Sequence, residues 1–182
     1  MVKNWIALFS QTGSEIANIS ETLGKRPDLV ITNRRPSYLR EIDSRITSEK
    51  FILHETANKP KEENLKNIFK QYAQDNGLII TLHGWLRIMP PVICEEYNIY
   101  NGHPGLITKY PELKGKDPQV RMINGKYDTM GCVLHEVNAG VDEGQIILSK
   151  EVSRKGLEEQ DIFRILSNIS QELWLEFLKN KL

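Results

Sequence analysis

Excess charge of either sign is missing from this chain. Its 182 residues carry 24 Lys and Arg against 24 Asp and Glu, a formal net charge of +0. Composition therefore supplies no electrostatic pull toward a nucleic acid polymer or an anionic lipid surface. Long apolar runs are missing too. No stretch approaches the roughly 20 continuous apolar residues of a membrane span. The opening MVKNWIALFS has too short an apolar run for a signal peptide and no small-residue cleavage pattern. Cysteine is scarce: Cys94 and Cys132 stand in unrelated apolar contexts, without metal-ligand spacing. They read as two core-like thiols in a reducing, cytoplasmic setting, with no metal. Internal repeats, low-complexity tracts and linkers are absent as well. The expectation is one domain over residues 1–182, long enough to bury a real core and independent of any membrane.

What is present is an alternation of short β-type runs and longer helical patterns. Trp5 to Phe9 is a continuous apolar run of buried-strand length. From Ser14 a helix is expected, with Ile16, Ile19 and Leu23 on one face and Gly24 as its stop. Asp28 to Thr32 and Lys50 to His54 read as strands, with a short helix over Tyr38 to Ile46 between them. Leu65, Ile68, Phe69 and Tyr72 give helical spacing over Glu62 to Asn76, stopped by Asn76-Gly77, and Leu78 to Leu82 is a fourth strand. Strand-helix alternation with near-continuous apolar strands predicts a Rossmann-like α/β fold, a mostly parallel sheet with helices on both faces. The second half is β-rich over Thr129 to Val137 and Gln145 to Val152, and a final amphipathic helix covers Glu158 to Leu178.

In open α/β sheets ligands bind beyond the carboxyl ends of the strands. Three segments should converge there: the first strand-to-helix loop, the segment after Leu82, and the stretch Asn101-Gly102-His103. In an extended segment Asn101 and His103, two apart, project to the same side. They read either as polar surface or as a pair gripping one reacting group. The first loop, Ser10 to Glu15, suits either an anion at a helix start or a helix capped by Thr12 or Ser14. Asp142, between Gly140 and Gly144, is a solvated turn or a site residue. Trp85 to Pro91 is core or the apolar wall of a pocket. His54, His83 and His135 lie in or beside apolar runs and read as packing or surface residues.

The stretches LHGWLRIMPP, NGHPGLITKYPEL and GCVLHEVNAGVDEGQIIL resemble the folate-dependent formyltransferases, most closely the phosphoribosylglycinamide branch. The resemblance is strong over residues 78 to 150 and weaker over residues 4 to 20. It implies transfer of a formyl group from 10-formyltetrahydrofolate to a primary amine of a small, phosphorylated acceptor, with no metal. It also implies that Asn101, His103 and Asp142 are the catalytic trio. Asn101 and an imidazolium at His103 would donate to the oxyanion of the tetrahedral intermediate. Asp142 would raise the imidazole pKa and hold the ring. The folate's pterin is then expected against the backbone of Leu86, Arg87, Ile88 and Met89 and the loop from Asn138 through Val141. Lys61 aligns with a folate-binding arginine of the family.

Departures from the family concentrate on the acceptor side. The first loop, Gln11-Thr12-Gly13-Ser14-Glu15, keeps only the Gly-Ser of a phosphate-holding loop, leaving Thr12, Gly13 and Ser14 as the expected substrate contacts. Glu15 brings a carboxylate toward any phosphate there. Ser170 stands where the family uses a glutamate for the amine, and Lys114 to Pro118 replaces a His-Thr-His run. The acceptor pocket is expected to be rebuilt, with Lys114 and Lys116, and beside them Lys109 and Arg121, either contacting a phosphate or forming a solvated basic face. Alternatives are formylation of a nucleotide-linked amino sugar or amino-modified nucleotide, and a folate or nucleotide sensor on the same fold. No basic extension offers a surface for tRNA.

Overall fold

The computed structural model describes residues 3–73 and 77–182. The first apolar run forms β1 (Asn4–Phe9), buried along nearly its whole length. The helix after it is α1 (Ser14–Leu23). Its N-cap is neither Thr12 nor Ser14 but Gly13, at φ 74. A side chain at Gly13 would press on Ile46 and Phe9 at 3.2 Å, so glycine answers both the positive φ and the close packing. Gly24 ends α1 in the left-handed conformation, as expected.

Further along come β2 (Leu29–Thr32), β3 (Leu53–Glu55), α2 (Glu62–Tyr72), β4 (Leu78–His83), α3 (Pro91–Glu96) and β5 (Ile99–His103). Two expectations change here. The helix over Tyr38 to Ile46 is instead a 3₁₀ segment over Pro36–Glu41. Strand β3 begins at Leu53 rather than Lys50, because it lies at the sheet edge and pairs only with the short β2. The expected end of α2 at residues 74–76 lies outside the described residues. The chain closes with α4 (Pro118–Asn124), β6 (Thr129–Glu136), β7 (Ile146–Ser153) and α5 (Glu159–Lys181).

The seven strands form one sheet in the order β3-β2-β1-β4-β5-β6-β7. The strands from β3 to β5 are parallel, while β6 runs antiparallel to both β5 and β7. Alternation along β1 divides the core. Trp5, Ala7 and Phe9 pack under α1 and α5, whereas Ile6 and Leu8 pack with Leu65, Phe69 and Ile93 of α2 and α3. A third cluster joins β6 to α4 and to the first half of α5. The mixed Rossmann-like sheet with helices on both faces is the architecture expected above.

This order has a consequence for function. The chain leaves β1 toward β2 on one side and later returns as β4 on the other, so the loops after β1 and β4 part at a topological switch point. They are stitched together: Ser10 N–H donates to the Gly84 carbonyl at 3.3 Å, and Leu86 N–H donates to Ser10 Oγ at 2.9 Å.

Helix α5 buries Ile162, Leu166, Ile169, Leu173, Trp174 and Phe177 at helical spacing. It comes so close to β5 that a Cβ on Gly102 would sit 2.7 Å from Trp174 Nε1. Gly102→Ala should therefore destabilise the fold by about 1–3 kcal/mol through overpacking. Trp174→Phe in the same background should recover part of that loss in urea unfolding, and the absence of any recovery would show that the indole is not the obstacle.

Candidate active site

Strand β5 places Asn101 and His103 on one side, and the connection from β6 to β7 brings Asp142 to both. Asp142 has a φ of 51, the left-handed region that Asp tolerates better than most residues. Four groups converge on its carboxylate. Gly115 N–H donates to Oδ2 at 2.7 Å and His103 Nδ1 lies 3.2 Å from Oδ2. On the other oxygen, His135 Nε2 lies at 3.3 Å and Asn101 Nδ2 at 3.5 Å. Burial by itself would push the Asp142 carboxyl up, but the His135 contact, the His103 charge and the Gly115 N–H together hold it below the usual carboxylate range.

His103 is buried, and both ring nitrogens are engaged. Nε2 lies 2.9 Å from the Leu113 carbonyl. A carbonyl only accepts, so Nε2 carries a hydrogen. A second proton on Nδ1 makes the Asp142 contact favourable as well, whereas the neutral ring turns a lone pair toward the carboxylate. Burial pushes the imidazole below its ordinary value, against the opposing pull of Asp142 and of the Leu113 carbonyl. Asp142 thus acts in the expected direction, but burial is the larger effect. The net shift is downward, opposite to the expectation.

His135 is the residue that sequence reasoning missed. Expected among the packing or surface residues, it is buried, and it also pairs directly across the sheet with Asn101. Its Nδ1–H donates to the Glu136 carbonyl at 2.6 Å, and its Nε2 lies 3.1 Å from Asn101 Nδ2. The neutral ring accepts from Asn101; the cationic ring donates to Asp142 instead. An irregularity in pairing with β7 falls between Leu134 and His135, where a bulge can re-aim a side chain. Single-residue alternation along β6 carried no hint of this, because the pairing register with β5 decides it.

The remaining expected residues separate into two groups. Leu86, Ile88 and Val141 are exposed apolar side chains, at 54%, 76% and 51% of their surface. Met89 turns into the core with Trp85 and Ile93, which leaves only its backbone for a ligand. Arg87 is tied to the Asn58 carbonyl and side chain. Asn138 Oδ1 accepts from Gly140 N–H at 3.0 Å, bracing the Asp142 turn. Lys61 is exposed as the N-cap of α2.

On the α5 side of β5 lies a cavity of about 360 Å³. Thr12, Gly13 and Ser14 line it, with Glu15, Gly102 and Ser170. Lys114 and Lys116 stand outside that lining; Lys116 is exposed beside Asp117 at 3.6 Å. Lys109 is paired with Glu151 at 2.6 Å. Arg121 holds the carbonyls of Glu112, Leu113, Lys114 and Lys116, so it builds the loop facing His103. His83 is buried and packed against Trp174, as a packing residue would be, and its Nδ1 also lies 2.8 Å from Glu15 Oε2 in the cavity wall. Among the described residues there is no group of three or more His, Cys, Asp or Glu placed to hold a metal ion. No helix among them is long and apolar enough to cross a membrane.

A family model described as formyl transferase matches residues 3–161. The chain is 26% identical over 175 residues to phosphoribosylglycinamide formyltransferase of Dictyostelium discoideum, covering 84% of each protein. It is 27% identical over 115 residues to methionyl-tRNA formyltransferase of Thermosipho africanus. That alignment covers 63% of this chain and 36% of the relative, so the chain spans only about a third of such proteins. Among solved structures, phosphoribosylglycinamide formyltransferase from Streptococcus pneumoniae superposes with a TM-score of 0.81 over 98% of both chains at 19% identity. The Campylobacter jejuni protein of the same description gives 0.79 over 95% of this chain and 94% of that one, at 22% identity. At such identities the solved structures establish a common fold.

The downward shift of His103 makes stability depend on pH. Between its lowered folded value and the ordinary 6.5, the unfolded chain binds more protons than the folded one. Stability contributed by His103 is therefore complete above that window and falls as pH drops through it. His103→Gln should flatten the slope of urea-unfolding free energy in the window just below pH 6.5. An unchanged slope in the variant would mean that another group titrates there.

Proposed function

The chain belongs to the formyl transferase family, and on that premise we propose that it moves a formyl group from 10-formyltetrahydrofolate to a primary amine of a small acceptor. The observation that supports this most is the convergence of Asn101, His103 and Asp142, all within 3.5 Å contacts of the same carboxylate. A non-catalytic sensor has no need of such an assembly.

The two sides of β5 support a division of labour. Gly102 points toward α5 and floors the cavity, while Asn101 and His103 point the opposite way, toward Asp142. The acceptor occupies the cavity and the folate lies along the rim of Leu86, Ile88 and Val141, so the reacting atoms meet at the end of the strand. The backbone of Arg87 and Met89 and the Asn138 turn read the pterin edge, and Lys61 adds a positive charge farther out.

Asn101 and His103 then act on the oxygen of the tetrahedral intermediate. One Asn101 Nδ2 hydrogen is well held by His135, but the other is only loosely directed at Asp142, at 3.5 Å, and is free to turn to an oxyanion. His103 Nε2–H rests on a neutral carbonyl; a developing negative charge is the stronger acceptor and draws it away from Leu113. Asp142 keeps the ring oriented and steadies the imidazolium. It also stands ready to take the proton lost by the attacking nitrogen for delivery to the departing folate nitrogen.

Loss of 10-formyltetrahydrofolate in the presence of a panel of primary amines tests the activity directly. On the true acceptor, His103→Ala and Asp142→Asn should each lower kcat by about 10²-fold or more while folate affinity stays within about tenfold. Near-normal turnover by either variant removes that residue from the trio.

Ile88→Glu probes the donor side. At 76% exposure the substitution should cost less than about 0.5 kcal/mol of stability. It should nonetheless weaken folate binding about tenfold or more and leave acceptor binding unchanged. Equal loss of both ligands would argue against a rim that touches the pterin alone.

A further inference from the structure

The cavity on the α5 side of β5 contains a second polar assembly that the transfer chemistry does not use. Trp5 Nε1 donates to Thr81 Oγ1 at 2.8 Å. Thr81 Oγ1 lies 2.9 Å from His83 Nε2, and His83 Nδ1 lies 2.8 Å from Glu15 Oε2. Ser170 Oγ donates to the other oxygen, Glu15 Oε1, at 2.6 Å. The His83 ring is further held against Trp174, with centroids 4.5 Å apart. Residues of β1, β4 and α5 thus fix one carboxylate, that of Glu15 on α1, in the cavity wall.

Counting hydrogens shows what this wall offers a ligand. The carboxylate accepts from His83 and from Ser170, and each oxygen keeps lone pairs to spare. The Ser170 hydroxyl hydrogen is spent on Glu15, so its oxygen can only accept as well. At the mouth of α1, Ser14 N–H is directed to Thr12 Oγ1 at 3.3 Å, which occupies one of the free amides that would hold an anion. Among the described residues of the lining there is no Lys or Arg, and Glu15 and His83 are its titratable members. The rest of the polar lining is neutral, from Gln11, Ser167 and Gln119, beside the half-exposed ring of Phe163.

We propose that this cavity takes a polyhydroxylated primary amine carrying no phosphate there, an amino sugar in its ordinary biochemical form, and that Glu15 selects it. The word acceptor rests on the formyl-transfer reading; the binding preference does not. An ammonium group brings three donors to the Glu15 and Ser170 oxygens, which can only accept, and sugar hydroxyls suit the neutral side chains and the Phe163 ring. A phosphate brings acceptors alone. At about 5 Å from a carboxylate it loses at least about tenfold in affinity. Glu15 does not escape this by turning to solvent, since His83 and Ser170 hold it inward.

Calorimetric titration of the purified chain with glucosamine, glucosamine 6-phosphate and inorganic phosphate tests the assignment. Glucosamine should bind saturably, and at least about tenfold more tightly than its 6-phosphate. Inorganic phosphate should not displace it. Glu15→Gln should weaken glucosamine at least about tenfold and narrow the gap to the phosphate ester, while Ser170→Ala, which keeps the charge, should preserve the gap. Thermal unfolding of both variants confirms that they are folded. No saturation by glucosamine, tighter binding of the 6-phosphate, or an unaltered preference in folded Glu15→Gln overturns the proposal. Formylation of a phosphorylated amine with undiminished affinity would defeat it while leaving formyl transfer intact. Glu15-dependent glucosamine binding without any formyl transfer would support it while defeating the catalytic reading.

Discussion

Strand β5 is hydrogen-bonded on both edges, parallel to β4 and antiparallel to β6. That mixed pairing constrains everything at the site. The parallel partner brings the loop after β4 alongside, with its exposed apolar rim. The antiparallel partner sets His135 opposite Asn101 and leads into the turn that carries Asp142. Because side chains alternate, Gly102 faces α5 while its neighbours face Asp142, so one short strand serves two compartments. The absent side chain at Gly102 is what lets Trp174 and the long final helix close over that strand.

The carboxylate of Asp142 is the electrostatic counterpart of this arrangement. A single buried anion is surrounded by donors from β5, β6 and the loop before α4, and these offset the cost of its burial. The neighbouring imidazole experiences two opposed effects, and burial prevails over the carboxylate. A ring poised in this way gains most from a second negative charge. In the proposed reaction an oxyanion within reach of Nε2 would supply one, so that the interaction would be strongest at the moment of reaction rather than before it. Arg121 belongs to this design indirectly. By holding four carbonyls of the Glu112–Lys116 loop it positions the Leu113 carbonyl that accepts from His103 Nε2–H and the Gly115 N–H that donates to Asp142.

The cavity on the α5 side, the proposed acceptor site, follows a different logic. Where a phosphate-holding loop would keep free backbone amides and attract positive side chains, here the loop satisfies part of its own demand and adds a carboxylate. Glu15 and Ser170, 155 residues apart, meet at 2.6 Å. The first loop and the final helix therefore build one polar contact from two distant places in the chain. The basic residues Lys109 and Arg121 are already committed to Glu151 and to backbone carbonyls.

Elements whose stability is local or one-sided were legible in the sequence. Apolar runs such as Trp5 to Phe9 and Leu78 to Leu82 have no alternative but burial within a sheet, and the spacing along α1, α2 and α5 marks their buried faces. Gly24 announced a helix stop, and the two-residue period put Asn101 and His103 on one side. The Tyr38 to Ile46 segment was misread because a 3₁₀ turn and the start of an α-helix share the same short-range spacing. His83 and His135 are buried, as packing residues would be, but their polar partners were not legible, for a different reason. Each is one polar residue at the end of an apolar strand, and nothing adjacent in sequence distinguishes a packed ring from a working one. Their partners, Glu15 and Asn101, lie 68 and 34 residues away. Only strand order and register bring such pairs within hydrogen-bond distance. Local periodicity thus determined which segments are buried, and tertiary pairing alone decided which polar groups meet, because a hydrogen bond depends on distances between atoms far apart along the chain.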